Sequence, residues 1–258
     1  MFLSENRLGE EAMKTIDIAM MGVSAALYAI VGVITNMGLV APVVGVVKFW
    51  PAVIVPGIFA VLFGPWVGGI GAAIGIFVSD MVQPGHGIAL LSLTVGSTSN
   101  FAGFYLIGLI ARRNMKWRDI LILLTVGSVA LTGMIGYLFL INQLTLDVLA
   151  MFLAVLFASD AIVIGFGLLK PEWKTYGLAS VIGLFVGSTI IGFGLWGYSQ
   201  ILPLPLTTGF EHNAPFYASF FWLVWTFATE IPFLVTLVPP VVKICYKAFP
   251  FLVPQHKK

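Results

Sequence analysis

Charge is what this 258-residue chain has least of: Asp, Glu, Lys and Arg make up 9% of it, against 59% apolar residues. Soluble domains average about 25% charged residues. A water-soluble fold this poor in charge could not cover its surface, whereas a bilayer requires no such cover. Cysteine is nearly absent too. Cys245 stands alone, which excludes an internal disulfide. His86, His212 and His256 lie far apart, and without a second cysteine no metal-ligand spacing can be read. No metal or other cofactor is expected. No GxxxxGK[ST] loop occurs, so the chain should not hydrolyse ATP itself. HExxH, GxSxG and paired-aspartate motifs are missing as well, which argues against an intramembrane enzyme. The net charge of +2 is small, and no nucleic-acid partner is expected. The first fifteen residues, MFLSENRLGEEAMKT, lack the apolar core of a cleavable signal and read as a cytoplasmic lead-in.

What the chain has is long apolar runs. A helix needs about 20 such residues to cross the hydrocarbon core. Candidate spans run from Ile16 to Val40, Pro51 to Phe63, Trp66 to Val82 and Ile88 to Ile110. Four more run from Ile120 to Ile141, Leu146 to Leu169, Tyr176 to Leu202 and Pro215 to Val242. The second and third are short and meet at Gly64-Pro65. They read as two tightly joined crossings or as one re-entrant pair.

The basic residues choose between these. With the N-terminus inside, the positive-inside rule places Arg7, Lys14, Arg112, Arg113, Lys116, Arg118, Lys170, Lys174, Lys243, Lys247, Lys257 and Lys258 in the cytoplasm. That is twelve of the 13 basic residues, and only Lys48 falls outside. Eight crossings with both ends cytoplasmic close this count. The expected organisation is a lead-in over 1–15, one transmembrane helical domain over 16–246 and a cytoplasmic tail over 247–258, in the plasma membrane. Small residues also recur at helical spacing. Ala19, Gly22, Ala26 and Ala29 form a stripe on the first span that reads as internal packing or as a docking face for another membrane subunit.

The stretch Val61-Leu62-Phe63-Gly64-Pro65-Trp66-Val67-Gly68-Gly69-Ile70-Gly71-Ala72-Ala73-Ile74-Gly75 resembles the signature joining the second and third helices in substrate-binding S components of energy-coupling factor (ECF) transporters. Ser24-Ala25-Ala26-Leu27-Tyr28-Ala29 resembles that family's Ala-rich first helix, which docks the transmembrane coupling subunit. Asp80-Met81-Val82-Gln83-Pro84-Gly85 resembles its polar outer exit from the third helix, and Ile110-Ala111-Arg112-Arg113 its basic end to the fourth. The resemblance covers residues 16–113 well and 176–246 loosely. It implies a six-helix S-component-like core, with a hairpin inserted at 118–170 to make about eight transmembrane helices, all α. It further implies capture of a water-soluble vitamin or precursor, and partnership with a coupling subunit and two ATPase subunits.

Ionisable groups within spans are costly and usually face an interior, a cavity or each other. Lys48, beside Phe49 and Trp50, lies in a loop that the resemblance makes a lid, and it reads as a ligand-facing cation or an interfacial anchor. Asp80, Gln83 and His86 cluster at the outer end of the third span. Asp80 needs a partner there, because a helix C-terminus disfavours an anion. Glu211, His212 and Asn213 lie in the loop before the last span and could cap a pocket. Trp222, Thr226 and Glu230 follow spacing four and share one face, suited to a flat heteroaromatic ligand or to a bond with a neighbouring helix. Asn36 and Asn100 are pocket candidates or interhelical hydrogen bonders, and Asp160 lies mid-span in the suspected insertion. The leading expectation is a capture subunit of an ATP-driven importer. The alternative is a self-contained ion-coupled secondary transporter, with Glu230 and Asp160 as relay groups.

Overall fold

The computed structural model describes residues 15–35, 49–83, 88–205 and 212–253. Lys48, Asn36, His86 and Glu211 lie outside the described residues. No strand occurs among those described. The long helices are α1 (Thr15–Ile34), α3 (Pro65–Val82), α4 (Ala89–Ala111), α5 (Trp117–Leu140), α6 (Leu146–Leu169), α7 (Pro171–Ser199) and α8 (Tyr217–Ala248). All seven are long and apolar enough to cross a membrane, the pattern of a multi-pass membrane protein. A shorter α2 spans Ile54–Phe63, led in by a 3-10 turn over Pro51–Val53. The second apolar stretch is thus helical over its expected range, but it is shorter than the other seven.

The surface fits hydrocarbon rather than water. Leu169 is 82% exposed, Leu140 78% and Ile34 75%, among many large apolar side chains that face outward. In lipid the backbone polar groups must find partners inside the protein. Many helix hydroxyls also donate to carbonyls one turn back: Thr94 to Leu90, Thr125 to Leu121, Ser159 to Val155, Thr189 to Phe185 and Thr226 to Trp222.

The packing order follows the small residues. α1 lies on α3, α3 on α4, α4 on α7 and α7 on α8, while α2 fills the middle and touches α1, α3, α4 and α8. A Cβ built on Gly75 would lie 2.8 Å from the Ala25 carbonyl oxygen, and one on Gly183 would lie 2.6 Å from the Gly103 oxygen. Backbones approach this closely only where side chains are missing. α5 and α6 pack on each other and against α7 and α8, outside the row formed by the remaining helices.

One turn orients the bundle. Gly64, between α2 and α3, has φ +106° and ψ −178°, a region open only to glycine. The Arg112 guanidinium, at the end of α4, lies over it, so a Cβ on Gly64 would meet the guanidinium carbon at 2.8 Å. The α2–α3 turn and the basic end of α4 therefore share one end of the bundle. α8 runs on to Ala248 through Pro232, Pro239 and Pro240, and the Tyr176 hydroxyl ties α7 to it by donating to the Leu234 carbonyl at 2.9 Å.

Candidate functional site

α2 and its lead-in are about 20 Å long at 1.5 Å per residue, against a hydrocarbon core about 30 Å thick. Part of the bundle centre is therefore filled by side chains instead of a helix. Trp50 lies just before α2 and is 5% exposed. Its indole rests on Gly32, where a Cβ would approach it to 2.4 Å. The indole Nε1–H donates to the Tyr28 hydroxyl at 2.9 Å, and that hydroxyl donates to Asn100 Oδ1 at 2.8 Å. Asn100 Nδ2 in turn donates to the Gly96 carbonyl at 2.9 Å. The Tyr28 ring meets Trp50 and Phe104 edge-on, each at a centroid distance of 6.3 Å. Tyr28 thus joins α1, α4 and the start of α2 in one polar–aromatic core.

Beside this core Ser92 Oγ donates to Asp80 Oδ2 at 2.7 Å, giving Asp80 a partner at the C-terminal turn of α3. Gln83 is buried and donates from Nε2 to Ser79 Oγ at 2.7 Å. The Ser79 hydroxyl also lies against Gly32, next to the Trp50 ring. Ser92 opens a π-helical segment, Ser92–Ser97, within α4. Such segments often occur at functional sites. This one ends three residues before Asn100 and carries the Gly96 carbonyl that the Asn100 amide engages.

A second feature lies deeper. Ser99, Asn100, Phe104, Ser188, Thr226 and Glu230 help to line a crevice between α4, α7 and α8. Its empty space is about 280 Å³ counting the part open to solvent, and about 20 Å³ admits the centre of a water-sized sphere. At 1.5 Å per residue, Asn100 is about 17 Å from Ala89, Ser188 about 17 Å from Ser199 and Glu230 about 20 Å from Tyr217. Three helices thus deliver polar groups to the same depth, near the middle of a core about 30 Å thick.

The stripe of Trp222, Thr226 and Glu230 divides. Thr226 and Glu230 line the crevice, whereas Trp222 is fully buried outside its lining, and its carbonyl accepts from the Thr226 hydroxyl. Asn100 belongs to both the polar–aromatic core and the crevice. His212 and Asn213 are exposed. Asp160 is half-buried between α6 and α5, where it accepts a short hydrogen bond from Ser128. On α1, Ala19, Gly22 and Ala26 face outward and Ala29 is buried, so the small-residue stripe turns from the surface into the bundle along its length. Tyr28, Ser92 and Ser188 are site residues that sequence reasoning passed over. Tyr28 and Gly32 share a face at spacing four, a signal that could have paired the phenol with the indole.

No family model, curated protein or solved structure matches the chain.

Proposed function

We propose that this chain is the membrane-embedded substrate-capture subunit of an ATP-driven importer of the ECF type. It takes a small solute, a water-soluble vitamin or precursor, from outside the cell. In this reading α2 is a crossing, both chain ends are cytoplasmic and the protein resides in the plasma membrane. The six-helix group of α1–α4, α7 and α8 resembles an S component, with α5 and α6 as the added hairpin; their position outside the main row supports that division.

The observation that carries the reading is a polar–aromatic chain that ends on a buried crevice. Trp50, Tyr28 and Asn100 are linked by hydrogen bonds, and Asn100 also lines the crevice that holds Glu230. Such an arrangement suits the capture of a small solute, and the chain carries no nucleotide-binding loop to drive its release. A coupling subunit and two ATPase subunits would move it. The outward stripe of Ala19, Gly22 and Ala26 offers the close-packing face such a subunit needs.

The test is uptake of labelled vitamins by cells expressing the chain alone or together with a coupling subunit and ATPases. Accumulation that requires the ATPases supports the proposal. Accumulation driven by an ion gradient in proteoliposomes holding only this chain would sink it, and would favour ion-coupled transport.

A further inference from the structure

Five polar side chains line the crevice between α4, α7 and α8, and they divide by how their hydrogen bonds are met. Ser99 donates to the Gly96 carbonyl, Asn100 to the same carbonyl and Thr226 to the Trp222 carbonyl. Ser188 Oγ is fully buried and has no partner. The Glu230 carboxyl, 7% exposed, takes no hydrogen bond from any described residue. The two unmet groups come from different helices, α7 and α8, and face one space. Three other buried side-chain groups among the described residues also lack partners: Ser24 Oγ, Trp225 Nε1 and Tyr246 Oη. None of them lines the crevice, and Ser24 is pressed against Gly71, with no room for a guest.

A carboxyl in such an interior either holds its proton or, when ionised, requires a counter-charge, so a bound cation would take the place of that proton. No Lys, Arg or His lines the crevice. The open space, about 20 Å³ to the centre of a water-sized sphere, is about that of a single small guest. A guanidinium or a quaternary ammonium is too large for it. We infer that the crevice between Ser188 and Glu230 is a binding site for one small monovalent cation of ammonium size. The Glu230 carboxylate supplies the counter-charge and the Ser188 hydroxyl a lone pair. Asn100 and the Phe104 face, which also touch Tyr28, form the wall toward Trp50. The cation is either the primary ammonium head of a solute that enters by the open side of the crevice or a free alkali ion, since both present a single compact positive charge. The inference stands on the crevice alone, whether or not the capture reading holds.

The test uses full-length protein in lipid nanodiscs, with N-methylglucamine chloride as the bulky background salt. Methylammonium, sodium, potassium and tetramethylammonium chlorides are titrated separately. The readouts are the thermal unfolding midpoint and the carboxylate region of the infrared difference spectrum. At least one of methylammonium, sodium and potassium should raise the midpoint saturably and shift a carboxylate band, while tetramethylammonium does neither. A response to methylammonium marks an amine-bearing solute, and one confined to an alkali ion marks a free ion. Glu230→Gln should abolish the band shift and weaken binding by at least about tenfold, as expected for losing a charged hydrogen bond. Ser188→Ala removes an unpaired hydroxyl, so it should fold normally and still weaken binding severalfold. No saturable response to any small cation would overturn the inference and leave a water-filled crevice. So would a response to tetramethylammonium equal to that to methylammonium, or a response unchanged in Ser188→Ala. Dependence of uptake on the ATPases decides the capture reading separately.

Discussion

Replacing Gly75 by alanine should part α1 from α3 and unseat Tyr28. The built Cβ lies 2.8 Å from the Ala25 carbonyl oxygen and 2.9 Å from Tyr28 Cβ. Favourable contacts between such atoms fall near about 3.5 Å, so the helices must separate by roughly 0.5 Å. The nearest atom is backbone, which cannot swing aside as a flexible side chain would. Overpacking of this kind costs about 1–3 kcal/mol. Alanine returns up to about 1 kcal/mol of helix propensity over glycine, which leaves a net loss of up to about 2 kcal/mol. Gly136 on α5 is the matched control, because a Cβ there meets nothing within 4 Å. Gly136→Ala should be neutral or stabilising by up to about 1 kcal/mol. The assay is reversible unfolding by sodium dodecyl sulfate in mixed micelles, followed by tryptophan fluorescence. The two variants should differ by about 2 kcal/mol. If Gly75→Ala matches or exceeds Gly136→Ala in stability, the close α1–α3 contact is wrong, and so is the support it gives Tyr28.

Tyr28→Phe removes the acceptor for Trp50 Nε1–H and the donor to Asn100 Oδ1. It should cost about 1–3 kcal/mol in the same unfolding assay and weaken solute binding in equilibrium dialysis. Gly64→Ala forces a side chain into a glycine-only region against Arg112 and should cost about 1–3 kcal/mol, read from the same midpoint. Ala26→Trp on the outward face of α1 should leave stability within about 0.5 kcal/mol. It should also lower affinity for a coupling subunit by about tenfold or more in pull-down titrations. Lys48→Ala should weaken solute binding, and unchanged affinity would remove Lys48 from the pocket.

The helical architecture was legible because the hydrocarbon core imposes a length on each apolar run. Leu146–Leu169 forms α6 over its expected range, and Trp66–Val82 lies within α3 after one added residue, Pro65. The helix that begins at Pro171 starts ahead of its expected first residue, Tyr176, because a proline suits the first turn of a helix. The last helix runs past its expected end at Val242 to Ala248, so its interior prolines did not stop it. The site was legible only where the residue type was costly. Glu230 and Asn100 attracted attention because a carboxyl or amide in a membrane demands a reason. Tyr28 did not, because it lies in a run of alanines whose pattern speaks of packing. Ser188 did not, because most helix serines bond their own backbone and only coordinates show that this one does not. The π-helical segment at Ser92–Ser97 leaves no mark in hydropathy, since it changes hydrogen bonding and not composition. Trp222 shares the Glu230 face by spacing and still lies outside the crevice lining, because a helical stripe is wider than the gap it borders.

The central claim is that the bundle holds a captured solute among Trp50, Tyr28, Asn100 and Glu230. Native mass spectrometry of the full chain, taken from its own membrane into lipid nanodiscs, tests it most directly. The account predicts one small solute per chain, retained by the wild type and lost from folded Tyr28→Phe and Glu230→Gln variants. A wild-type chain that carries no solute, or variants that retain it undiminished, would contradict the account.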